Sequence, residues 1–404
     1  MTNLPQGWKW KSLGEICFIT DGTHKTPNYI ETGIPFLSVK NISKGFFDLS
    51  DVKYISLEEH NKLIKRAKPE FGDILICRIG TLGKAIKISL EFEFSIFVSL
   101  GLLKPKVKII SDYLVYFLNS CFIEEWINDN KVGGGTHTAK LNLNILEKCP
   151  IALPPLKEQE RIVGILDENF AKIDENIKIL EQDLLNLDEL MQSALQKAFN
   201  PLKDNAKENY KLPQGWEWKS LGEIANTSSG GTPSRNKKEY WENGNIKWLK
   251  SGELNDGYID FIEENITEEA IKNSSAKIFQ KGTLLIAMYG ATAGKLGILN
   301  LDSTTNQAIC AFLHKDKNIK FLEKFLFYFL FFLRDKIIKD SFGGAQPNIN
   351  QTYIKNLQIP LPPIKEQEQI ASHLDELSSH VKNLKQNYQA QIKDLQELKN
   401  SLLD

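Results

Sequence analysis

From Leu166 onward, apolar residues recur at positions 166, 170, 173, 177, 180, 184, 187 and 191. Steps of four and three place them on one stripe of a helix, in the spacing of a heptad seam. Ile370, Leu374, Leu377, Val381, Leu384 and Tyr388 keep the same stepping, and Ile392, Leu395, Leu398 and Leu402 continue it with some drift. Both runs open on two prolines followed by Lys-Glu-Gln-Glu, which supply a first-turn proline and negative charge at the positive end of the helix dipole. The pattern predicts two long helices, rods of about 60 Å at about 1.5 Å per residue. Neither buries its stripe alone, so the two are expected to pack on each other. A short linker, 201–211, leads from the first helix into a full globular stretch and favours an antiparallel pair.

The stretches between the helices are of another kind. Short β-type runs such as IPFLSV (34–39) and DILICRI (73–79) alternate with Gly, Asn and Ser punctuation, and a late apolar segment in each, 112–127 and 321–338, reads as a helix backing a sheet. The chain also repeats itself. LPQGWKWKSLGE at Leu4 recurs as LPQGWEWKSLGE at Leu212, identical at 11 of 12 positions, and LPPLKEQERI at Leu153 recurs as LPPIKEQEQI at Leu361, identical at 8 of 10; both offsets are 208 residues. Between these brackets, 16–150 and 224–358 have diverged while landmarks persist. Ile34, Leu37, Gly45 and Asp48 line up with Ile246, Leu249, Gly257 and Asp260, and GDILICRIG at Gly72 with GTLLIAMYG at Gly282. The expected organisation is 1–152, a first mixed α/β domain; 153–200, a helix; 201–211, a linker; 212–360, a second copy of the domain; and 361–404, a second helix.

Composition changes this picture little. A chain of 404 residues with 42% hydrophobic and 25% charged residues has room for two or three cores and is neither disordered nor collagen-like. Its net charge of −1 hides a division. The diverged stretches hold 17 basic against 15 acidic and 17 against 14 residues, whereas 157–199 and 365–404 hold 5 against 10 and 5 against 7. Mild positive charge therefore lies on the domains. Five scattered cysteines without a Cys-x-x-Cys pair suggest neither a disulfide framework nor zinc, and a reducing cytoplasm. The first residues lack a signal pattern, and the longest apolar run, Phe325 to Leu333, is nine residues, too short to span a bilayer; no membrane association is expected.

Motifs of catalysis are missing. Gly290-Ala-Thr-Ala-Gly-Lys295-Leu296 is one residue short of a phosphate-binding loop and lacks its magnesium-holding hydroxyl. There is no dinucleotide loop, no zinc-protease or serine-hydrolase motif, and no Cys/His grouping at metal spacing. His373 and His380 stand two helical turns apart, too far for one ligand.

LPxGWxWxxLGE opening each half, LPPLxEQ closing each diverged stretch and a heptad helix after it, all twice over, resemble the specificity (S) subunits of Type I restriction-modification systems. The resemblance covers essentially the whole chain. It implies two α/β (α+β) target-recognition domains related by a pseudo-twofold repeat, with the long helices forming an antiparallel coiled coil that sets the distance between them. Each domain is expected to read one half of a split, asymmetric site on double-stranded DNA. The helices and brackets would dock two modification (methyltransferase) subunits, which restriction (translocase and nuclease) subunits join. Such a chain is not itself an enzyme and holds no cofactor; S-adenosylmethionine, ATP and magnesium belong to the partners.

Reading base edges calls for Arg, Lys, Asn, Gln, Ser or Thr side chains, and holding phosphates calls for basic loops. The first domain offers Thr23, His24, Lys25 and Thr26; Lys40 and Asn41; Arg78, Thr81 and Lys84; and Thr136, His137, Thr138 and Lys140. The second offers Thr232, Ser234 and Arg235; Lys250 and Ser251; Tyr289, Thr292 and Lys295; and Gln346, Asn348 and Asn350. Arg78 and Arg235 stand out, because bidentate arginine to guanine is the commonest specific contact and the other arginines of these stretches, Arg66 and Arg334, sit in helix-like contexts. Trp8, Trp10, Trp216 and Trp218 are shared by both halves and are therefore scaffold or partner-facing. An alternative remains open: a coiled-coil adaptor whose domains bind proteins, with affinity indifferent to salt.

Overall fold

The computed structural model describes residues 4–134, 139–199, 212–315, 320–341 and 348–403. By contacts the chain divides into two units, Met1–Leu180 with Gln389–Asp404, and Glu181–Tyr388. Each unit holds one globular domain and a stretch of both long helices.

In the first unit a four-stranded sheet runs in the spatial order Cys17–Asp21, Leu100–Pro105, Ile74–Cys77, Ala85–Lys87, every pair antiparallel. The run ILIC is apolar at every position because both faces of its strand are covered. Ile74 and Ile76 enter a cluster with Leu114, Leu118, Ile123 and Ile127 of the helical layer. Leu75 and Cys77 enter a second cluster with Leu37, Ile42, Phe94 and Leu102. A smaller sheet, Lys53–Ile55, Ile34–Leu37 and Ser95–Ile96, lies on that side.

The second unit repeats the plan. Leu284 and Ile286 face the helical layer while Leu285 and Ala287 face the opposite cluster. Its main sheet has a fifth strand, Gly257–Ile259, parallel to Leu296–Leu299. The expected equivalence of Gly45 and Gly257 fails there: Gly45 occupies a turn with φ +86°, whereas Gly257 is a strand residue. Ile34–Leu37 and Ile246–Leu249 do correspond, each pairing in parallel with the strand that follows the central hairpin.

The late apolar segments differ between the copies. The second forms one helix, Glu323–Lys339, whose Phe325, Phe327, Tyr328 and Phe329 are buried. The first, expected as one helix over 112–127, breaks into Ser111–Leu118 and Cys121–Asn130. Asn119 causes the break: its side chain takes the Ala85 amide (3.1 Å) and donates to the Ala85 carbonyl (2.8 Å), imitating a neighbouring strand.

The repeated brackets are neighbours in space. Lys9–Ser12 pairs antiparallel with Pro150–Leu153, and Glu217–Ser220 with Gln358–Leu361. The Ser-Leu-Gly-Glu that follows is a capping box: the Ser12 amide donates to Glu15 (2.7 Å) and Ser12 Oγ accepts from the Glu15 amide (3.3 Å), and Ser220 and Glu223 repeat it. The hydrogen bond from Lys11, and then that from Ser12, bring the Glu15 carboxyl down to about 2. Beyond each ribbon a glutamine of the Lys-Glu-Gln motif is buried at 1% exposure. Gln159 accepts from the Ile110 amide (2.9 Å) and donates to the Pro154 carbonyl (2.9 Å); Gln367 does the same for Leu322 (2.8 Å) and Pro362 (2.9 Å). Each thereby ties the start of a long helix to the residue that enters the domain's apolar helix.

The long helices span Leu156–Phe199 and Ile364–Ser401. Leu166, Phe170, Ile173, Ile177, Leu180, Leu184, Leu187 and Met191 are all buried or half-buried, as the seam requires. On the second helix Leu384 (39% exposed) and Leu398 (48%) depart from the buried stripe, and the adjacent lysines are half-buried. Lys399 donates to Asp174 (2.5 Å) beside Phe170 in the first unit, and Lys385 pairs with Asp188 in the second. Tyr116 donates to Asp167, and Tyr328 to Asp375 (2.7 Å), fixing each domain to its own helix.

Gln159→Leu leaves the Ile110 amide and the Pro154 carbonyl buried without partners. A loss of about 2–4 kcal/mol in urea unfolding is expected, against a change near zero for the exposed neighbour Glu160→Gln.

Candidate functional site

In each domain, loops far apart in sequence converge at one end of the main sheet. In the first, the Thr23 amide donates to Ile96 (3.1 Å), the Arg78 amide to Ser99 (3.0 Å), the Leu141 amide to Arg78 (2.8 Å), the Phe97 amide to Leu37 (2.9 Å) and the Val39 amide to Ser99 Oγ (3.0 Å). In the second, Gly231 reaches Thr305, Met288 reaches Ala308, Ile349 reaches Met288, and Asn306 reaches Leu249. The candidates proposed from sequence at 23–26, 40–41 and 78–84 and at Lys140, and their counterparts, lie on segments thus brought to one edge. The approach is close: a Cβ on Gly22 would lie 2.0 Å from the Ile96 carbonyl oxygen, and one on Gly230 2.0 Å from that of Thr305, so only glycine fits either position.

In the first domain His24, Lys25, Thr26, Lys40, Thr81, Lys84 and Lys140 are exposed, and Thr23 is half-buried in a turn closed on Lys25. Lys140 forms bridges with Ile79 and Val132. Thr136, His137 and Thr138 lie outside the described residues. Two expectations are corrected. Asn41 is 4% exposed and spends its side chain on the Ser38 amide (2.9 Å) and the Asp48 carbonyl (3.0 Å), closing a turn. Arg78 is 6% exposed; its guanidinium donates to Asp21 (2.5 Å), Val98 (3.0 Å) and Leu141 (3.1 Å) and presents no edge to a base. Burial draws the Arg78 pKa below its ordinary value, and the Asp21 carboxylate opposes that shift. Met288 stands at the matching position of the second domain, and Ser229 at that of Asp21. An inner ion pair in one copy is a methionine and a serine in the other.

In the second domain Thr232, Ser234, Arg235, Lys295, Asn348 and Asn350 are exposed, and Lys250, Ser251, Tyr289 and Thr292 half-buried. Tyr289 bridges to Asn348, Asn350 caps the helix Gln351–Asn356 by accepting from the Tyr353 amide (2.7 Å), and Gln346 lies outside the described residues. Arg235 is held from three sides. Its guanidinium carbon lies 3.6 Å from the Trp241 ring centroid and 4.8 Å from that of Trp248, and Nη1 pairs with Glu264 at 2.7 Å. Glu264 also takes Lys250 at 2.7 Å. Burial raises the Glu264 carboxyl, but its hydrogen bonds to Arg235 and Lys250 outweigh that and keep it below the usual value. The clamp's stabilising contribution is therefore present above pH 4.5, the ordinary value, and lost as pH falls through the lowered one.

Sequence reading missed Trp241, Glu264 and Gln307. Gln307 is exposed and accepts from Thr232 Oγ1; it sits in the short turn 306–308 between the strands Ser303–Thr305 and Ile309–His314. In the Gly290–Leu296 segment four amides are already engaged: Ala293 donates to Gly290 (3.1 Å), Gly294 to Ala287 (2.8 Å), Lys295 to Thr292 (3.0 Å) and Leu296 to Asp256 (3.0 Å). Arg334 fastens it through Asp256 and the Gly294 carbonyl (2.9 Å). Among the described residues no group of three or more His, Cys, Asp or Glu gathers to hold a metal, and no helix is long and apolar enough to cross a membrane. Cys17, Cys77, Cys149 and Cys310 are buried, which pushes their thiols up to about 12. Trp10 packs on Phe122 (5.6 Å between ring centroids). Trp218 is 55% exposed on the rim of a hollow of about 380 Å³ lined by Phe199, Phe329, Phe332 and Leu333.

Residues 5–183 and 213–394 each match the family model described as the Type I restriction modification DNA specificity domain. The chain is 29% identical over 271 residues to the Type I restriction enzyme EcoR124I/EcoR124II specificity subunit of Escherichia coli, an overlap of 64% of this chain and 63% of that one. It is 26% identical over 425 residues to the StySPI specificity subunit of Salmonella potsdam, covering 99% of this chain and 88% of that one. The solved HsdS subunit from Thermoanaerobacter tengcongensis shares the fold, with a TM-score of 0.64 at 22% identity over 100% of this chain and 97% of that one.

Asp21→Ser is expected to destabilise the first domain by about 3–5 kcal/mol, since it leaves Arg78 buried without its carboxylate. Asp21→Ser with Arg78→Met, the pair the second domain carries, should regain most of that loss. Urea unfolding at all four corners of this cycle measures the coupling, and strictly additive losses would refute it.

Proposed function

Since the chain belongs to the Type I restriction modification DNA specificity family, we propose that it is the specificity subunit of such a system, each domain reading one half of a bipartite, asymmetric site on double-stranded DNA. One observation carries this reading. The same scaffold occurs twice, its loops converge at the same sheet end, and that end bears different side chains in the two copies: Asp21, Arg66 and Arg78 in one, and Arg235, Trp241 and Glu264 in the other. A scaffold that reads two different half-sites needs this combination of constancy and divergence.

Arg235 is the base reader proposed for the second domain. Stacking on Trp241 and one bond to Glu264 hold its fork in place while the side chain stays 51% exposed, so little freedom is lost when it meets a guanine. Further contacts are proposed within each domain separately, divided between base edges and phosphates: His24, Lys25, Thr26, Lys40, Thr81, Lys84 and Lys140 in the first, and Thr232, Ser234, Lys250, Ser251, Tyr289, Thr292, Lys295, Asn348 and Asn350 in the second.

The long helices are proposed to form an antiparallel coiled coil that fixes the spacing between half-sites, on the order of one DNA turn or about 10 bp. Support comes from the register of the two ion pairs. The fourteen residues forward from Asp174 to Asp188 correspond to fourteen backward from Lys399 to Lys385. Exposed pairs of this kind add little stability, but they mark register. The brackets, nearly identical in both halves, and the exposed Trp218 beside its aromatic hollow are the surfaces proposed to dock two modification subunits, which restriction subunits join. The chain itself is read as non-catalytic, with S-adenosylmethionine, ATP and magnesium carried by those partners.

Methylome sequencing of cells co-expressing the chain and a cognate methyltransferase tests the whole reading: a split, asymmetric methylated motif is expected with the chain and absent without it. Arg235→Ala should cost about 1–3 kcal/mol and relax one position of one half-site; an equal loss on every sequence would make Arg235 a phosphate contact instead. Inserting one heptad into both helices should lengthen the unread spacer and leave both half-sites intact, and an unchanged spacer would remove the ruler role.

A further inference from the structure

Arg66, expected in a helix, lies three residues beyond the helix Leu57–Leu63 and folds back on the sheet end. Its Nη2 donates to Asp21 Oδ1 and its Nε to the Asp21 carbonyl (3.3 Å). Asp21 is 1% exposed and gives its other oxygen to Arg78 at 2.5 Å. Two guanidiniums thus share one carboxylate. Arg78 is enclosed, whereas the Arg66 side chain is 56% exposed, so the surplus positive charge emerges on the Arg66 side. A hollow of about 390 Å³ opens there, lined by Thr23, His24, Lys25, Lys62, Leu63 and Arg66, with no carboxylate in its lining. The Lys62 partner, Glu58, is 81% exposed, a pair weak enough to exchange for a stronger anion. A pinned guanidinium beside two lysines matches a phosphate oxyanion.

We propose that the hollow is a phosphodiester clamp: Arg66, assisted by Lys25 and Lys62, grips a backbone phosphate of duplex DNA, and Asp21 is the positioning residue that aims Arg66. The inference rests on the DNA-reading function proposed above. It assigns this corner of the first domain to sequence-independent grip, leaving base readout to neighbouring loops.

The test uses the full chain and two short duplexes of unrelated sequence, with affinity followed by fluorescence anisotropy across a potassium chloride series. Arg66→Gln is expected to weaken both duplexes equally, by about tenfold, and to flatten the slope of log affinity against log salt by about one. Lys62→Gln leaves Asp21 and its arginines untouched, so it carries the test if Arg66→Gln fails to fold; it should shift both duplexes in the same direction by a smaller factor. Unchanged affinity and slope, or a loss confined to one duplex, would overturn the clamp. Millimolar inorganic phosphate forms a second arm. If it raises the melting temperature of the parent but not of Arg66→Gln, while DNA affinity is equal in both, the hollow is a small-anion site off the DNA path and the proposal falls. If the parent chain shows no salt-dependent binding to either duplex, DNA reading itself fails; if the parent binds steeply and Arg66→Gln matches it, the clamp alone fails.

Discussion

The buried glutamine of each Lys-Glu-Gln bracket is the constraint on which the architecture turns. A long helix leaving a domain must begin somewhere, and its first turn and the entry to the neighbouring apolar helix both leave backbone groups to satisfy. Gln159 and Gln367 satisfy an amide from one element and a proline carbonyl from the other with a single planar side chain. The ribbon beside it pairs the opening bracket with the closing one, so a domain's two ends meet where its helix departs. This geometry accounts for the constancy of the bracket residues that build the junction, the paired strands and the buried glutamine.

Freed from that task, the far end of the sheet diverges. The main-chain hydrogen bonds that gather the loops recur almost bond for bond in the two domains, and they need no particular side chain beyond Gly22 and Gly230. What fills the edge is then open to change. The Asp21–Arg78 pair shows the latitude, because a buried ion pair and a Ser–Met combination differ little in net stability when each is complete. The mild positive charge of both domains fits a surface that meets a polyanion, and the two arginines nearest the edge are both pinned, one by a carboxylate and one by an indole. Pinning lowers the ordering cost on binding, at the expense of adaptability.

Much of this was legible in the chain. The 208-residue offset set two domains and two helices, the four-three stepping marked the helical stripe, and the run DILICRI announced a strand. The loops that converge were marked by their glycines and polar residues. Local rules misled where tertiary contacts decided. Asn119 broke an apolar segment because Ala85 offered strand-like hydrogen bonds, and Leu384 and Leu398, expected on the buried stripe, are exposed while the adjacent lysines pair with aspartates.

Arg78 and Arg66 give the sharpest case. Both lie near polar punctuation, and loop context favoured the first, yet the first is enclosed and the second faces solvent. The alignment of Arg78 with Met288 hinted at an inner position; that Asp21 lies beneath it did not follow from any local pattern. By itself the sequence determined the repeat, the elements and the division into shared scaffold and divergent edge, because those rest on periodicity and on comparison of the chain with itself. Only the tertiary structure decided which charged groups reach the surface, because exposure depends on partners brought together from 45 and 57 residues away, and a single buried carboxylate settles which arginine stays inside.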